Sequence, residues 1–237
     1  MALQEHTSKQ FDLELESVRK RVLQMGGLVE RQLQLAIEAL LSGDEELMAR
    51  IVADDRNINA MQVDIDESCN LIIARRQPAA GDLRMIVMVV KTITDLERIG
   101  DEVKKIARAA QLFSSQTGIG LPRYNEIRRA ARLARDMLRA SLDAFASLDL
   151  SNVTTVLRTD EQVDTEFRAI IRYLITFMME DPRTISTVLE IMFVAKAIER
   201  IGDHAKNMSE YVVYMVKGRD VRHIDTDEIE REIGNNY

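Results

Sequence analysis

The segment Glu97-Arg98-Ile99-Gly100-Asp101 returns as Glu199-Arg200-Ile201-Gly202-Asp203. A second element, Asp55-x-x-Ile58-Asn59, returns as Asp160-x-x-Val163-Asp164. A chain that carries two copies of its most distinctive segments folds as two copies of one unit packed into one body. This repeat limits the possible folds more than any other feature.

The unit is helical. Leu15, Val18, Val22, Met25, Val29, Leu33, Ala36, Ile37 and Leu40 recur at spacings of three and four, which predicts a helix over about 8–42. Ser42-Gly43 stops it. Asp44 is placed to cap a second helix to about 76, with Glu45 and Glu46 in its first turn. Pro78 and Gly81 mark a turn, and Asp82 is expected to cap a third helix to about 113. Ser114–Pro122 reads as a linker. The plan then repeats over about 123–147, 151–180 and from Asp181-Pro182 to about 217. Only 3 prolines and 10 glycines interrupt 237 residues, in keeping with an all-α chain of six long antiparallel helices. The expected units are 1–115, 116–217 and a charged tail, 218–237, expected to be partly helical and loosely held.

Charge narrows the function. A net charge of −7 argues against a sequence-independent nucleic-acid binder, which needs a basic surface. Residues 1–10 are polar, so no leader is expected, and the longest apolar run, Met85–Val90, is too short to cross a bilayer. A soluble protein is expected. The single Cys69 suits a reducing compartment and reads as a small buried hydrophobe.

The repeated acids stand where core residues belong. On a wheel of 3.6 residues per turn, Glu97 and Asp101 lie within about 40° of the stripe Leu83, Ile86, Val90 and Ile93. Glu199 and Asp203 continue Ile185, Val188, Met192 and Ala195 in the same way, as Asp55 and Asp160 do on the second and fifth helices. In an antiparallel hairpin, residues equidistant from the turn lie at one level. Asp55 with Asp101, and Asn59 with Glu97, centre on Pro78; Asp160 with Asp203, and Asp164 with Glu199, centre on Asp181-Pro182. Each half should therefore gather oxygen ligands between two helices. Carboxylates so crowded need a cation or shifted pKa values, and hard cations such as Mg²⁺, Mn²⁺ or iron suit them better than Zn²⁺. The competing reading is a salt-bridge network with Arg98, Arg200, Arg31, Arg135 or Arg139. Gly100 and Gly202 suggest close backbone approach beside the acids, and Gly26-Gly27 a similar approach in the first helix. His204 reads as a surface residue, and Asp220-x-x-His223 has no counterpart in the first half.

LERIGDEVKKIA (96–107), IERIGDHAKNM (198–208), the stretch Asn59–Arg84 and MMEDPRTI (178–185) together resemble the PhoU family over nearly the entire chain. The resemblance implies two three-helix bundles related by pseudo-two-fold symmetry, and a cytoplasmic homodimer. It also implies negative regulation of the phosphate-starvation response, as an adaptor between the phosphate ABC transporter, through its ATPase subunit, and the sensor histidine kinase PhoR. Membrane association would come only through those partners. Metal ions would be held by Glu97, Asp101, Glu199 and Asp203, with Asp55, Asn59, Asp160 and Asp164 as companions; Asn59 in place of an acid suggests a weaker or differently occupied first site. The alternatives are a carboxylate-bridged metalloenzyme or metal-storage bundle, and a plain scaffold with solvated acids. Di-iron oxidases of helical bundles use paired E-x-x-H elements, and this chain has none. No enzymatic activity is expected.

Overall fold

The computed structural model describes residues 9–114, 124–222 and 224–234, and among them no residue is in a strand. The helices are α1 (Lys9–Ser42), α2 (Glu45–Arg76), α3 (Ala80–Ser114), α4 (Tyr124–Ser147), α5 (Val153–Glu180), α6 (Ile185–Lys217) and α7 (Thr226–Gly234), with a single 3₁₀ turn, Pro182–Thr184, before α6. The first six lie where the apolar periodicity places them. Residues 115–123, most of the expected linker, fall outside the described residues, as does His223.

Local chemistry sets the ends. Asp44 caps α2, its carboxylate accepting from the Leu47 amide at 3.0 Å. Gly43 closes α1 in the left-handed region (φ 72°), where its amide reaches the Ala39 carbonyl at 2.8 Å. The expectation for Asp82 is corrected: α3 already begins at Ala80, so Asp82 sits in its first turn. There its charge complements the helix dipole.

α1, α2 and α3 pack on one another, as do α4, α5 and α6, and the two groups meet chiefly along α3 and α6, with α1 against α4 beside them. Asp95 faces His204, Lys91 lies over the Tyr211 ring and Arg84 over Tyr214. Rising numbers on one helix meet falling numbers on the other, so α3 and α6 run antiparallel. The core is continuous across this seam: Ile99 and Ile201, the matching residues of the two repeats, are both fully buried. Cys69 is buried within the first group, and burial pushes its thiol up to about 11, leaving it inert as expected. Among the described residues of the tail the chain is held, not loose. Val221 and Ile229 are buried, and Arg158 donates to both Glu230 oxygens at 2.6 and 2.8 Å, fixing α7 against α5.

Polar groups also enter the seam. His204 is not a surface residue: its ring is 12% exposed and its Nδ1 lies 2.8 Å from Asp95 Oδ1. Arg200 donates to Glu102 across the seam at 3.0 Å, and within the second group Ser141 on α4 meets Ser209 on α6 at 2.9 Å. Glu210 is buried nearby; desolvation raises its carboxyl to about 7, with Lys206 opposing and Asp160 adding to the shift.

Two predictions follow from this packing. A Cβ built on Gly26 would lie 2.3 Å from Leu142 Cδ2, whereas one on Gly27 meets nothing within 4 Å. Gly27→Ala should therefore stabilise by about 1 kcal/mol, and Gly26→Ala should fall below it by about 1–3 kcal/mol, read from urea midpoints. For Glu210, the folded protein keeps the proton up to about pH 7 while the unfolded chain releases it near 4.5. The native state binds the extra proton, so the wild type loses stability as pH rises through that window. Glu210→Gln should be no more stable than wild type at pH 4 and more stable by on the order of 2 kcal/mol at pH 8.

Candidate metal centre

Each site is built on a hairpin. In the first, Asp55 on α2 is 3% exposed, and its Oδ2 accepts from Lys104 Nζ at 2.6 Å. The same ammonium lies 3.7 Å from Asp101 Oδ1, so one cation spans the two acids assigned to one level. Glu97 completes the group: burial first, then the charges of Asp101 and Asp55, raise its pKa above the usual carboxylate range. Asn59 lies one turn along α2 from Asp55. Asp55 Oδ1 and Asn59 Oδ1 are both buried without a hydrogen-bond partner, which leaves two oxygens with unused lone pairs in a dry place.

The second site repeats this plan. Asp160 on α5 is 7% exposed and accepts from Lys206 Nζ at 2.9 Å. Asp203 borders solvent, yet desolvation, then Glu199 and Asp160, push its carboxyl up to about 6, with Asp164 adding to the shift. Glu199 accepts from Lys196 at 2.5 Å, and Asp164 from Arg168 at 3.1 Å. The hairpin registers thus bring together Asp55, Asp101 and Glu97 in one half, and Asp160, Asp164, Glu199 and Asp203 in the other.

Of the glycines between the acids, Gly100 has the expected role of close approach, whereas Gly202 has room for a Cβ. A Cβ on Gly100 would stand 3.0 Å from Ile58 Cδ1 and 3.7 Å from Asp55 Oδ1. One on Gly202 would stand 3.6 Å from Val163 Cγ1 and 3.7 Å from Asp160 Oδ1. A bare backbone at Gly100 lets α2 pack tightly on α3 beside Asp55.

The buried aspartates are answered by none of the arginines considered from sequence, although the charge of Arg98 acts on Glu97. Arg200 pairs with Glu102 at the seam, and Arg135 with its neighbour Asp136. Lys104 and Lys206 take the role instead, each three residues after the repeated aspartate. The signal was present as Asp101-Glu-Val-Lys104 and Asp203-His-Ala-Lys206. Parts of the predicted stripes also open to solvent, with Leu83 39% and Ile185 43% exposed.

The donor set is oxygen-only, which suits a hard cation, and the two unpartnered oxygens of the first site fit one. Among the described residues, however, no three Asp, Glu, His or Cys side chains converge into a ready-made metal cage. The lysines stand among the acids, so a cation would gather the ligands only as those side chains rearrange.

Known proteins similar to this chain are named as accessory and regulatory proteins of phosphate transport. The PhoU domain model matches twice, over residues 22–110 and 127–212, each match containing one acidic hairpin. The chain is 46% identical over 235 residues to the phosphate-specific transport system accessory protein PhoU homolog of Pseudomonas aeruginosa, covering 99% of this chain and 97% of that one. It is 46% identical over 230 residues to the accessory protein PhoU of Escherichia coli, with 97% and 94% covered. The crystal structure of PhoU from Pseudomonas aeruginosa superposes with a TM-score of 0.85 at 45% identity, covering 88% of this chain and all of that one. The phosphate transport system regulatory protein PhoU from Streptococcus pneumoniae superposes at 0.82 with 29% identity, over 89% and 99% of the two chains. By its two matched domains, its near-full-length identity and its fold, this chain belongs to the PhoU family.

Proposed function

We propose that this protein is a non-enzymatic accessory regulator of phosphate-specific transport that restrains the phosphate-starvation response. In this reading it works on the cytoplasmic side as a homodimer. It is an adaptor between the ATPase subunit of the phosphate ABC transporter and a PhoR-type sensor histidine kinase. The observation that carries the reading is 46% identity over 99% of the chain to a protein named for its accessory role in phosphate-specific transport. The fold is consistent with it. A continuous core across α3 and α6 makes the two repeats one body, able to present different faces to two partners. Among the described residues no helix is long and apolar enough to cross a membrane, so attachment to a transporter would run through protein contacts.

The metal reading belongs to the same proposal. Glu97, Asp101, Asp55 and Asn59 would hold one ion, and Glu199, Asp203, Asp160 and Asp164 the other, with Mg²⁺, Mn²⁺ or iron preferred to Zn²⁺. A bound cation would neutralise the crowded carboxylates and tie α2 to α3 and α5 to α6. What supports this is the doubled oxygen set, the raised carboxyls of Glu97 and Asp203, and the unpartnered oxygens of Asp55 and Asn59. The relatives' names speak of accessory and regulatory roles, not of catalysis.

The adaptor reading is tested in a strain lacking this protein. Wild type should restore repression of a starvation-response reporter in high phosphate and should co-purify with the transporter ATPase subunit and the kinase. Restored repression without either contact would sink the adaptor role. The Asp101→Ala/Asp203→Ala double variant, purified without an affinity tag, should lose the metal that elemental analysis finds in wild type. Equal metal content in the two proteins would remove these acids from any metal site.

A further inference from the structure

Outside the acids themselves, the feature that both hairpins share is a lysine whose ammonium occupies the place of a cation. Lys104 Nζ lies 2.6 Å from Asp55 Oδ2 and 3.7 Å from Asp101 Oδ1. Lys206 Nζ lies 2.9 Å from Asp160 Oδ2. The two lysines hold equivalent places in the repeat, so a lysine on the buried aspartate has formed twice from two separate hairpins, though only Lys104 also reaches the aspartate of its own helix. The pairing is also lopsided in one respect. The aspartate side chains are 5% and 9% exposed, while the lysine side chains are 23% and 34% exposed. The acids are fixed in the protein, and the ammonium groups reach in from its margin on flexible four-carbon stems.

We infer that Lys104 and Lys206 are resident counter-ions that hold the two acidic sites in a metal-free state and are displaced when a multiply charged cation enters. The inference rests on the metal reading above and adds a residue-level cause for the affinity and selectivity of the sites. An ammonium supplies one positive charge and three hydrogens in fixed number. It satisfies Asp55 Oδ2 but leaves Asp55 Oδ1 and Asn59 Oδ1 without partners. A hard divalent ion takes six or more oxygens, so it can engage those atoms as well as the one the lysine holds. Ammonium and metal cannot share the site, because two cations a few ångströms apart repel in a partly dry pocket. Entry of metal therefore requires the lysine to swing outward, for which its exposed margin leaves room. Monovalent ions, which offer no charge beyond the ammonium's own, do not displace it. Other cations act on the outer acids, Arg98 on Glu97, Lys196 on Glu199 and Arg168 on Asp164, while Lys105 serves Glu102 at the seam.

The test is calorimetric titration of Mn²⁺ into metal-stripped full-length protein, for wild type, Lys104→Met, Lys206→Met and Lys105→Met. Methionine keeps a straight, unbranched side chain and removes the charge. Each of the two site variants should bind Mn²⁺ at its own site on the order of tenfold more tightly than wild type or better, with Lys105→Met unchanged. Without metal, Lys104→Met should melt below wild type, because Asp55 is left buried and unpaired, and added Mn²⁺ should restore it. Na⁺ and K⁺ at the same ionic strength should have no such effect. Unchanged Mn²⁺ affinity in both site variants would overturn the role of the lysines while leaving the metal reading intact. Failure of wild type and every variant to take up Mn²⁺, Mg²⁺ or Fe²⁺ would overturn the metal reading itself, and this inference with it. Should Lys104→Met fail to fold by circular dichroism, Lys104→Gln, which keeps a hydrogen-bond donor without the charge, and Lys206→Met give the same readings.

Discussion

The antiparallel contact of α3 with α6 is the constraint on which the rest of this molecule depends. Three helices cannot close a core of their own when one of them is apolar on two sides, and α3 and α6 are such helices. Each turns one side to its own repeat and the other to its counterpart, and Ile99 and Ile201 disappear between them. The acidic motif lies on these same two helices. The seam therefore fixes α3 and α6, and the fixed helices in turn hold Glu97, Asp101, Glu199 and Asp203 against the aspartates of α2 and α5.

A second constraint is the cost of charge in a packed interior. Asp55 and Asp160 are among the few buried acids of the described residues, and each touches an ammonium. An unpaired carboxylate in that setting would shift its pKa or unfold the hairpin. Glycine at 100 is part of the same solution in the first half, since it lets α2 approach α3 closely beside Asp55. The two sites are alike in plan yet differ in detail. The first contains Asn59 and two oxygens without partners, whereas the second opens to solvent at Asp203 and keeps Asp164 tied to Arg168.

The seam shows what happens when a repeat diverges. Glu102 of the first half corresponds to His204 of the second, and Asp95 to Ala197. Divergent residues pair across the two-fold relation, His204 with Asp95, and the divergent Glu102 with the repeated Arg200. Such pairs have no duplicate by which to recognise them. That is why His204 looks like a surface residue until the helices are assembled.

The repeat and the apolar periodicity by themselves determined six helices, the two hairpin registers and the meeting of acids at common levels. Helix periodicity and turn position are local properties, and an antiparallel hairpin leaves little freedom once both are known. Asp44 as a cap, the close approach at Gly26 and Gly100, and the inert Cys69 were legible for the same reason, whereas Gly27 and Gly202 proved to have room for a Cβ. Only the tertiary structure decided which cations answer the acids. A wheel shows which face a side chain leaves from but not how far a long one reaches. Arg200 was spent at the seam, and Lys104 and Lys206, one turn beyond the motif, bent back to the aspartates. The docking of α7 was likewise decided in three dimensions, because a short charged helix has no core of its own and becomes ordered only where α5 offers Arg158 and an apolar place for Ile229.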